Sequence, residues 1–190
     1  MPTVGGYHPS LRDRLRVRTR RRLLEHLRSI VEPEGTRLMD LGGGSGVTTV
    51  EIGSGARELV VLEPNAKKVE RGRRAQAPVT FVEGVAESIP YGAGRFDRVV
   101  SLMSFHHFSD GEKACREAAR VLAPGGRIVV YDFERGPPPA RLMAFWVVRV
   151  CHRKMQLRTT TELAELVRTA GFRDVRREPY GGGAFVFGVR

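Results

Sequence analysis

Two carboxylates and a run of glycines frame the first chemistry open to this sequence. In "LMDLGGGSGVTT", residues 38–49, Gly42, Gly44 and Gly46 follow Asp40 in a GxGxG pattern. Glycine lets a backbone turn approach a ligand closely, and a helix that starts after such a turn favours negative charge at its N-terminus. A dinucleotide site would ask for GxGxxG, and here the third glycine comes one residue early; no Walker lysine with a Ser/Thr follows, which disfavours a P-loop. Asp40 points the same way, because it would repel a pyrophosphate but can accept hydrogen bonds from a cationic amino-acid portion of a ligand. Glu63, seventeen residues beyond Gly46, ends an apolar run, where a carboxylate can accept both hydroxyl hydrogens of a ribose. Together the two acids indicate a nucleoside that carries an amino acid. Further on, His106 and His107 follow another apolar run, and imidazole exchanges a proton near neutral pH.

Alternating strand and helix signals supply the frame that must position these groups. "RLMDL" reads as a buried strand before the glycine loop, residues 47–52 as a short helix ended by Gly53 and Gly55, and "ELVVLE" as a second strand. Residues 65–76 read as a helix with Pro64 suited to its first position. "VTFVEG" and "FDRVVSLM" are the third and fourth strands, Asp110 caps a helix through Leu122, Pro124-Gly125-Gly126 turns the chain, and "RIVVYDF" is the fifth strand. Strands apolar on both faces, alternating with helices, predict an α/β fold: a mostly parallel sheet covered by helices, with ligands at the carboxyl ends of the strands. "TTTELAELVRTAGF" reads as a capped helix closed by Gly171, and the tail "DVRREPYGGGAFVFGVR" as an antiparallel hairpin at one sheet edge. Outside the alternation lie a basic helix over residues 10–31, capped by Ser10, and a variable cover segment over 137–158 that starts with three prolines and carries Phe145 and Trp146 in an apolar stretch.

With 190 residues, 41% of them hydrophobic, the chain is long enough for one buried core and too short for two ordinary domains, so residues 1–190 are expected to form a single domain. Its apolar stretches fall far below the roughly 20 residues of a membrane span, and "MPTVGGYHPSLRDR" lacks a basic start followed by an apolar signal core, so a cytoplasmic location is expected. Two cysteines, Cys115 and Cys151, have neither disulfide-framework nor zinc spacing. The net charge is +11, and only four of the 32 Lys and Arg residues are lysines. Such a surplus attracts anionic partners, RNA and an anionic membrane surface among them, without choosing one. Arginine-rich genome composition or heat adaptation is the bland source, and one asparagine and two glutamines fit the latter.

"DLGGGSG", Glu63, "EGVAESIP", "FDRVVSLMSFHH" and "VLAPGGRIVVYD" occur in an order that resembles class I S-adenosylmethionine-dependent methyltransferases, in the branch similar to ubiquinone/menaquinone C-methyltransferases and small-molecule methyltransferases. The resemblance implies a doubly wound, Rossmann-like sheet with an antiparallel C-terminal hairpin, and S-adenosyl-L-methionine as cofactor. It implies that Asp40, Gly42, Gly44 and Gly46 surround the methionine part, that Glu63 holds the ribose, and that Pro64 and Asn65 flank the adenine. The family often reads "GDAExLP" after its third strand, whereas this chain reads "GVAESIP". Val85 therefore cannot accept from the adenine amine; it can pack on the ring, with the Ala86 backbone or Glu87 as polar contacts. Ser101 and Met103, at the end of the fourth strand, would lie near the sulfonium.

Methyl transfer from a sulfonium is an in-line displacement with a leaving group activated by its positive charge, so the protein must mainly align the reactants and exclude water. A general base is needed only where the acceptor loses a proton, and His106 and His107 are the candidates. No DPPY-like or NPPY-like tetrapeptide follows the fourth strand, and Cys115 in a helix lacks a preceding proline, which argues against nucleic-acid base methylation by either route. The expected acceptor is a small molecule or lipid-like compound. An RNA or protein target docked on the arginine-rich N-terminus is the alternative enzyme reading, a non-catalytic cofactor-binding subunit is another, and a homodimer is an alternative cover for the apolar segment.

Overall fold

The computed structural model describes residues 21–75, 78–133, 156–180 and 183–190. Helix α1 (Arg21–Val31) leads into strand β1 (Arg37–Leu41), helix α2 (Val47–Ile52), β2 (Glu58–Glu63), α3 (Ala66–Arg74), β3 (Thr80–Glu83) and β4 (Phe96–Leu102). A 3-10 turn (Phe105–His107) then precedes α4 (Gly111–Val121), β5 (Leu122–Phe133), α5 (Thr160–Thr169), β6 (Arg173–Tyr180) and β7 (Gly183–Val189). The expectations for residues 10–20 and 134–155, including Ser10, Phe145 and Trp146, lie outside the described residues.

The seven strands form one sheet in the order β3-β2-β1-β4-β5-β7-β6. The pairs β3/β2, β2/β1, β1/β4 and β4/β5 are parallel, while β7 runs antiparallel to both β5 and β6. The expected mostly parallel sheet with an antiparallel edge hairpin is what forms. Strand order reverses between β1 and β4, and a crevice opens outside the carboxyl ends of strands at such a switch point. Asp40 and Leu102 therefore both arrive at that crevice.

Alternate strand residues feed two cores. Met39, Leu41, Val99, Ile128 and Val130 pack under α4 and α5 with Ala118, Val121, Leu163 and Val167. Leu38, Val100, Val129 and Tyr131 face the other way, against Leu24, Leu27, Val31 and Ile52 of α1 and α2. Full burial of each such side chain contributes about 1.5–3 kcal/mol, so the sheet is pinned from both sides and its carboxyl edge is a rigid platform.

Two local expectations change. Pro64 is not the first residue of α3: Asn65 is the N-cap, its side chain accepting from the Lys67 and Lys68 amides, and the helix starts at Ala66. A side chain that satisfies two otherwise orphaned amides outweighs the fixed φ that proline offers. Pro124-Gly125-Gly126 does not end one element before another begins. It bulges within β5, where the register against β4 jumps from Phe96↔Leu122 to Arg98↔Arg127 and Gly125 takes φ 77°. The capped start and the stop of α5 follow the sequence: Thr159 and Glu162 close a reciprocal capping box, and Gly171 turns away at φ 95°.

Candidate active site

The glycine loop leaves β1 through three left-handed residues, Gly42, Gly44 and Gly46, at φ 75°, 63° and 75°. Their reasons differ. A Cβ on Gly42 would come 2.6 Å from Ser104 Cβ, and one on Gly46 would come 2.8 Å from the Phe81 ring, so both also pack tightly. On Gly44 it would meet nothing closer than Lys68 Cδ at 4.0 Å. Gly44 thus needs glycine for its backbone and leaves open space before it.

The two acids flank this loop on neighbouring parallel strands. Asp40, 1% exposed, accepts the Thr49 hydroxyl on Oδ2 at 2.6 Å, while its buried Oδ1 has no hydrogen-bond partner among the described residues. Burial pushes its carboxyl up to about 7; the Thr49 bond opposes that rise and the Glu63 charge adds to it. Glu63, 3% exposed, accepts the Gly44 amide on Oε2 at 3.0 Å and the Asn65 amide on Oε1 at 3.1 Å, with Lys68 Nζ at 3.6 Å from Oε1. The backbone of the loop and of the α3 cap therefore orients this carboxylate, which keeps lone pairs for further donors.

Both acids line one cavity of about 830 Å³, whose walls also include Gly42 to Ser45, Pro64, Asn65, Val85, Ala86, Glu87, Met103, His106, His107 and Phe133. Of the fourteen residues that the sequence singles out, ten border it together with the imidazole pair: Asp40, Gly42, Gly44, Glu63, Pro64, Asn65, Val85, Ala86, Glu87 and Met103. His106 and His107 join them at its far end. Gly46 and Ser101 do not. Gly46 caps α2, and Ser101 turns into the core, bonded at 2.9 Å to Ser104 Oγ, which donates on to the Leu41 carbonyl at 2.7 Å. Ser104, rather than Ser101, reaches the cavity wall. Glu87 also ties the loop after β3 to the start of α4, since its Oε1 accepts Ser109 Oγ at 2.8 Å and the Asp110 amide at 3.1 Å. Burial alone would raise its carboxyl, but these donors hold it below the ordinary range.

At the far end, Met103 leaves β4 with φ 54° and donates its amide to the Tyr131 carbonyl at 2.7 Å, which turns the chain into the 3-10 turn. His106 is 5% exposed there and His107 is exposed, their Nε2 atoms 3.1 Å apart. Asp132 of β5 faces His106, with Oδ1 2.5 Å from Nδ1 and Oδ2 accepting the His106 amide at 2.8 Å. Sequence reasoning gave Asp132 no role, although an acid closing the apolar run of β5 is the same signal that singled out Asp40 and Glu63. Thr49 and Ser104 had no such signal, since their partners lie across the fold.

An amino-acid end and a ribose fit these residues: an orphaned, buried carboxylate oxygen suits an ammonium donor, and an oriented carboxylate beyond an open glycine suits two hydroxyls. The sequence profile described as "Methyltransferase domain" matches residues 39–130. An uncharacterized methyltransferase of Synechocystis is 28% identical over 166 residues, 83% of this chain and 76% of its own. The rice chloroplastic 2-methyl-6-phytyl-1,4-hydroquinone methyltransferase 1 is 32% identical over 152 residues, 77% of this chain and 44% of its own, so the chain spans less than half of that relative. Among solved structures, a methyltransferase in complex with the Trm112 methyltransferase activator of Haloferax volcanii superposes with a TM-score of 0.78 at 20% identity, covering 94% of this chain and 93% of that one. The matched segment runs from Met39 in β1 to Val130 in β5, just under half of the chain, and holds both acids, the glycine loop and the imidazole pair, so over those residues the chain is similar to this methyltransferase family.

Proposed function

We propose that the protein transfers a methyl group from S-adenosylmethionine to a small-molecule or lipid-like acceptor. The observation that carries this reading is the continuity of the one cavity, which has Asp40, Gly44 and Glu63 at one end and Leu102, Met103, His106, His107 and Phe133 at the other. Bound at the first end, the cofactor supplies a methyl group on a sulfonium. Asp40 receives the amino-acid portion and Glu63 the ribose hydroxyls, while Val85 and Ala86 pack beside the base. The far end combines apolar walls with two imidazoles, and Phe133 keeps 43% of its surface exposed there, which favours an apolar acceptor with one reactive polar group. The rice relative, whose acceptor is a phytyl hydroquinone by name, is of that kind.

Several arginines of the surplus are occupied by the fold. Arg37 pairs with Asp97, Arg95 with Glu58 and Arg120 with Glu117, while Arg28, Arg98 and Arg127 donate to carbonyls at helix ends. At these positions the positive charge serves packing rather than docking. Among the described residues no helix is long and apolar enough to cross a membrane.

Calorimetry with S-adenosylmethionine tests the donor end: the wild type binds, and Glu63→Ala weakens binding at least about tenfold, as loss of hydrogen bonds to a charged group does. Labelled S-adenosylmethionine incubated with fractionated lysate tests the acceptor end, with label expected in the small-molecule or lipid fraction. Labelling confined to RNA would overturn the acceptor reading, and absence of binding would overturn the site.

A further inference from the structure

We infer that Lys68 works against the charged donor: its ammonium holds the ribose seat on Glu63 while that seat is empty, and once displaced it stands as a positive charge beside the sulfonium. Lys68 thereby narrows the preference of the site for S-adenosylmethionine over the demethylated product, S-adenosylhomocysteine. The inference rests on the methyl-transfer reading above and gives a role to a side chain that the residue pattern leaves unassigned.

Helix dipoles favour acids at an N-terminus and cations at a C-terminus. The first turn of α3 breaks that rule, since it has no acid and carries Lys67 and Lys68. Lys68 offsets the cost across the cavity wall, where its Nζ lies 3.6 Å from Glu63 Oε1. Asn65 aims it there: the Asn65 amide donates to Glu63 Oε1 at 3.1 Å and the Asn65 side chain accepts the Lys68 amide at 3.3 Å, so the carboxylate and the first turn of the helix are tied together. The stem of Lys68 crosses the space in front of the glycine loop, with Cδ 4.0 Å from where a Cβ on Gly44 would stand. Gly44 itself donates its amide to Glu63 Oε2 at 3.0 Å. Lys68 therefore stands between the loop and the carboxylate, where ribose hydroxyls would donate.

Strength and charge decide what this contact does. The Glu63 side chain is 4% exposed and that of Lys68 is 56% exposed. An ion pair with one partner so exposed is weak, so hydroxyl donors displace it, and the tethered ammonium then remains close to the site. The sulfur of the cofactor is carried on the 5′ carbon of the same ribose. A cation beside the ribose hydroxyls is thus within the screening length of the sulfonium, about 10 Å at 0.1 M salt. Asp40 and Glu63 attract that sulfonium, and Lys68 opposes them. S-adenosylhomocysteine keeps the ribose and the amino-acid end but has a neutral sulfur, so it meets the same displacement without the repulsion. Lys67 supplies the control: it follows the same cap with the same charge, and the cavity is bordered by Lys68 and not by Lys67. Arg71, which also borders the cavity, is constant in every comparison.

Calorimetry with both ligands separates the two effects. Lys68→Met, which keeps the aliphatic stem, is expected to tighten S-adenosylhomocysteine by up to about fivefold, the worth of an exposed ion pair. It tightens S-adenosylmethionine by a further factor of about two to four at 0.1 M salt, and that further factor disappears at 1 M, where the screening length is about 3 Å. Lys67→Met leaves the ratio of the two affinities within about 1.5-fold. Weaker binding of both ligands to Lys68→Met, an equal change for both, or an equal shift of the ratio by Lys67→Met would overturn the inference. A second measurement needs no variant of Lys68. The chain has four lysines, and 13C-methylation of their amines keeps the charge; the Lys68 signal is identified by elimination with Lys67→Arg, Lys113→Arg and Lys154→Arg. S-adenosylhomocysteine is expected to move that signal, and a Lys68 signal unmoved by a ligand that binds would overturn the displacement. Failure of the wild type to bind either ligand would instead overturn the methyl-transfer reading.

Discussion

Thr49 donates its hydroxyl hydrogen to Asp40 Oδ2 at 2.6 Å, and Asp40 Oδ1, equally buried, has no partner among the described residues. A buried acceptor left without a donor costs stability and is ready for a ligand that brings one. The folded carboxyl is raised to about 7 from 3.8, so the folded state binds the proton more tightly than the unfolded chain. The Asp40 contribution to stability therefore falls as pH rises from about 4 to about 7 and stays flat above that. Asp40→Asn removes this loss: above pH 7 it is expected to be more stable than the wild type by up to about 4 kcal/mol, with the gap closing near pH 4. Its effect on S-adenosylmethionine runs the other way. Wild-type affinity rises with pH through about 7, while the variant binds at least about tenfold more weakly at pH 8, with no such rise. Urea denaturation and calorimetry at both pH values check this; a variant that is less stable at pH 8 and binds normally would contradict it.

Gly42 and Gly44 share a left-handed backbone but differ in their surroundings, which separates folding from binding. Gly42→Ala combines the left-handed penalty of about 1–2 kcal/mol with a contact at 2.6 Å to Ser104, whose hydroxyl holds the Leu41 carbonyl, so about 3 kcal/mol or more is expected. Gly44→Ala bears only the backbone penalty, about 1–2 kcal/mol, but its methyl projects into open space beside Glu63 and should lower cofactor affinity several-fold. Denaturation midpoints against dissociation constants decide; equal stability losses would show that the Ser104 contact relaxes away.

The elements of the sheet were legible because each strand is a compact apolar run between turn residues, and the acids at the ends of β1 and β2 break those runs. Less legible was anything that depends on which strand end meets which. Ser101 lies in β4 and its side chain goes to the core, whereas Ser104 stands past the left-handed Met103 and reaches the cavity. Residue spacing alone does not distinguish the two. Asp132 and His106 meet because β4 and β5 are parallel neighbours with Leu102 opposite Tyr131, a pairing across 26 residues that no local pattern encodes. The start of α3 is illegible for a different reason: proline at a first helical position and asparagine as a cap are both good local signals, and only the observed bonds rank them.

Arg37 and Asp97 offer a control far from the site, at the opposite end of the sheet. Arg37 donates its amide and Nε to Asp97 Oδ2 at 2.9 and 3.0 Å and its Nη2 to Oδ1 at 2.8 Å. The Arg37 hydrogen bonds hold the Asp97 carboxyl down at about 2 against the opposing effect of burial. A depressed folded value stabilises above the unfolded value near 3.8, and that contribution is lost as pH falls through about 2. With a quarter of the side chain exposed, solvent trims the effect, and Asp97→Asn is expected to cost about 1–2 kcal/mol at pH 7. The difference from wild type should vanish toward pH 2, with S-adenosylmethionine affinity unchanged at pH 7. A constant gap across that range would assign the loss to packing rather than to charge.

Val85 tests how the cavity reads the base of the cofactor. It borders the cavity, is 45% exposed and stands where the family pattern often has an acid. An exposed valine contributes little burial, so Val85→Asp should leave stability within about 0.5 kcal/mol, the ordinary range for surface substitutions. A carboxylate there gains an acceptor for the exocyclic amine of adenine, and a hydrogen bond to a charged group is worth about 1.5–3 kcal/mol when well formed. Partial exposure reduces that, and S-adenosylmethionine affinity is expected to rise severalfold in calorimetry. Inosine-type analogues, which carry an oxygen in place of the amine, should gain nothing or bind more weakly to the variant. Equal gains for both ligands would mean that the new charge acts on the sulfonium or the ammonium from a distance, and would move the base away from Val85.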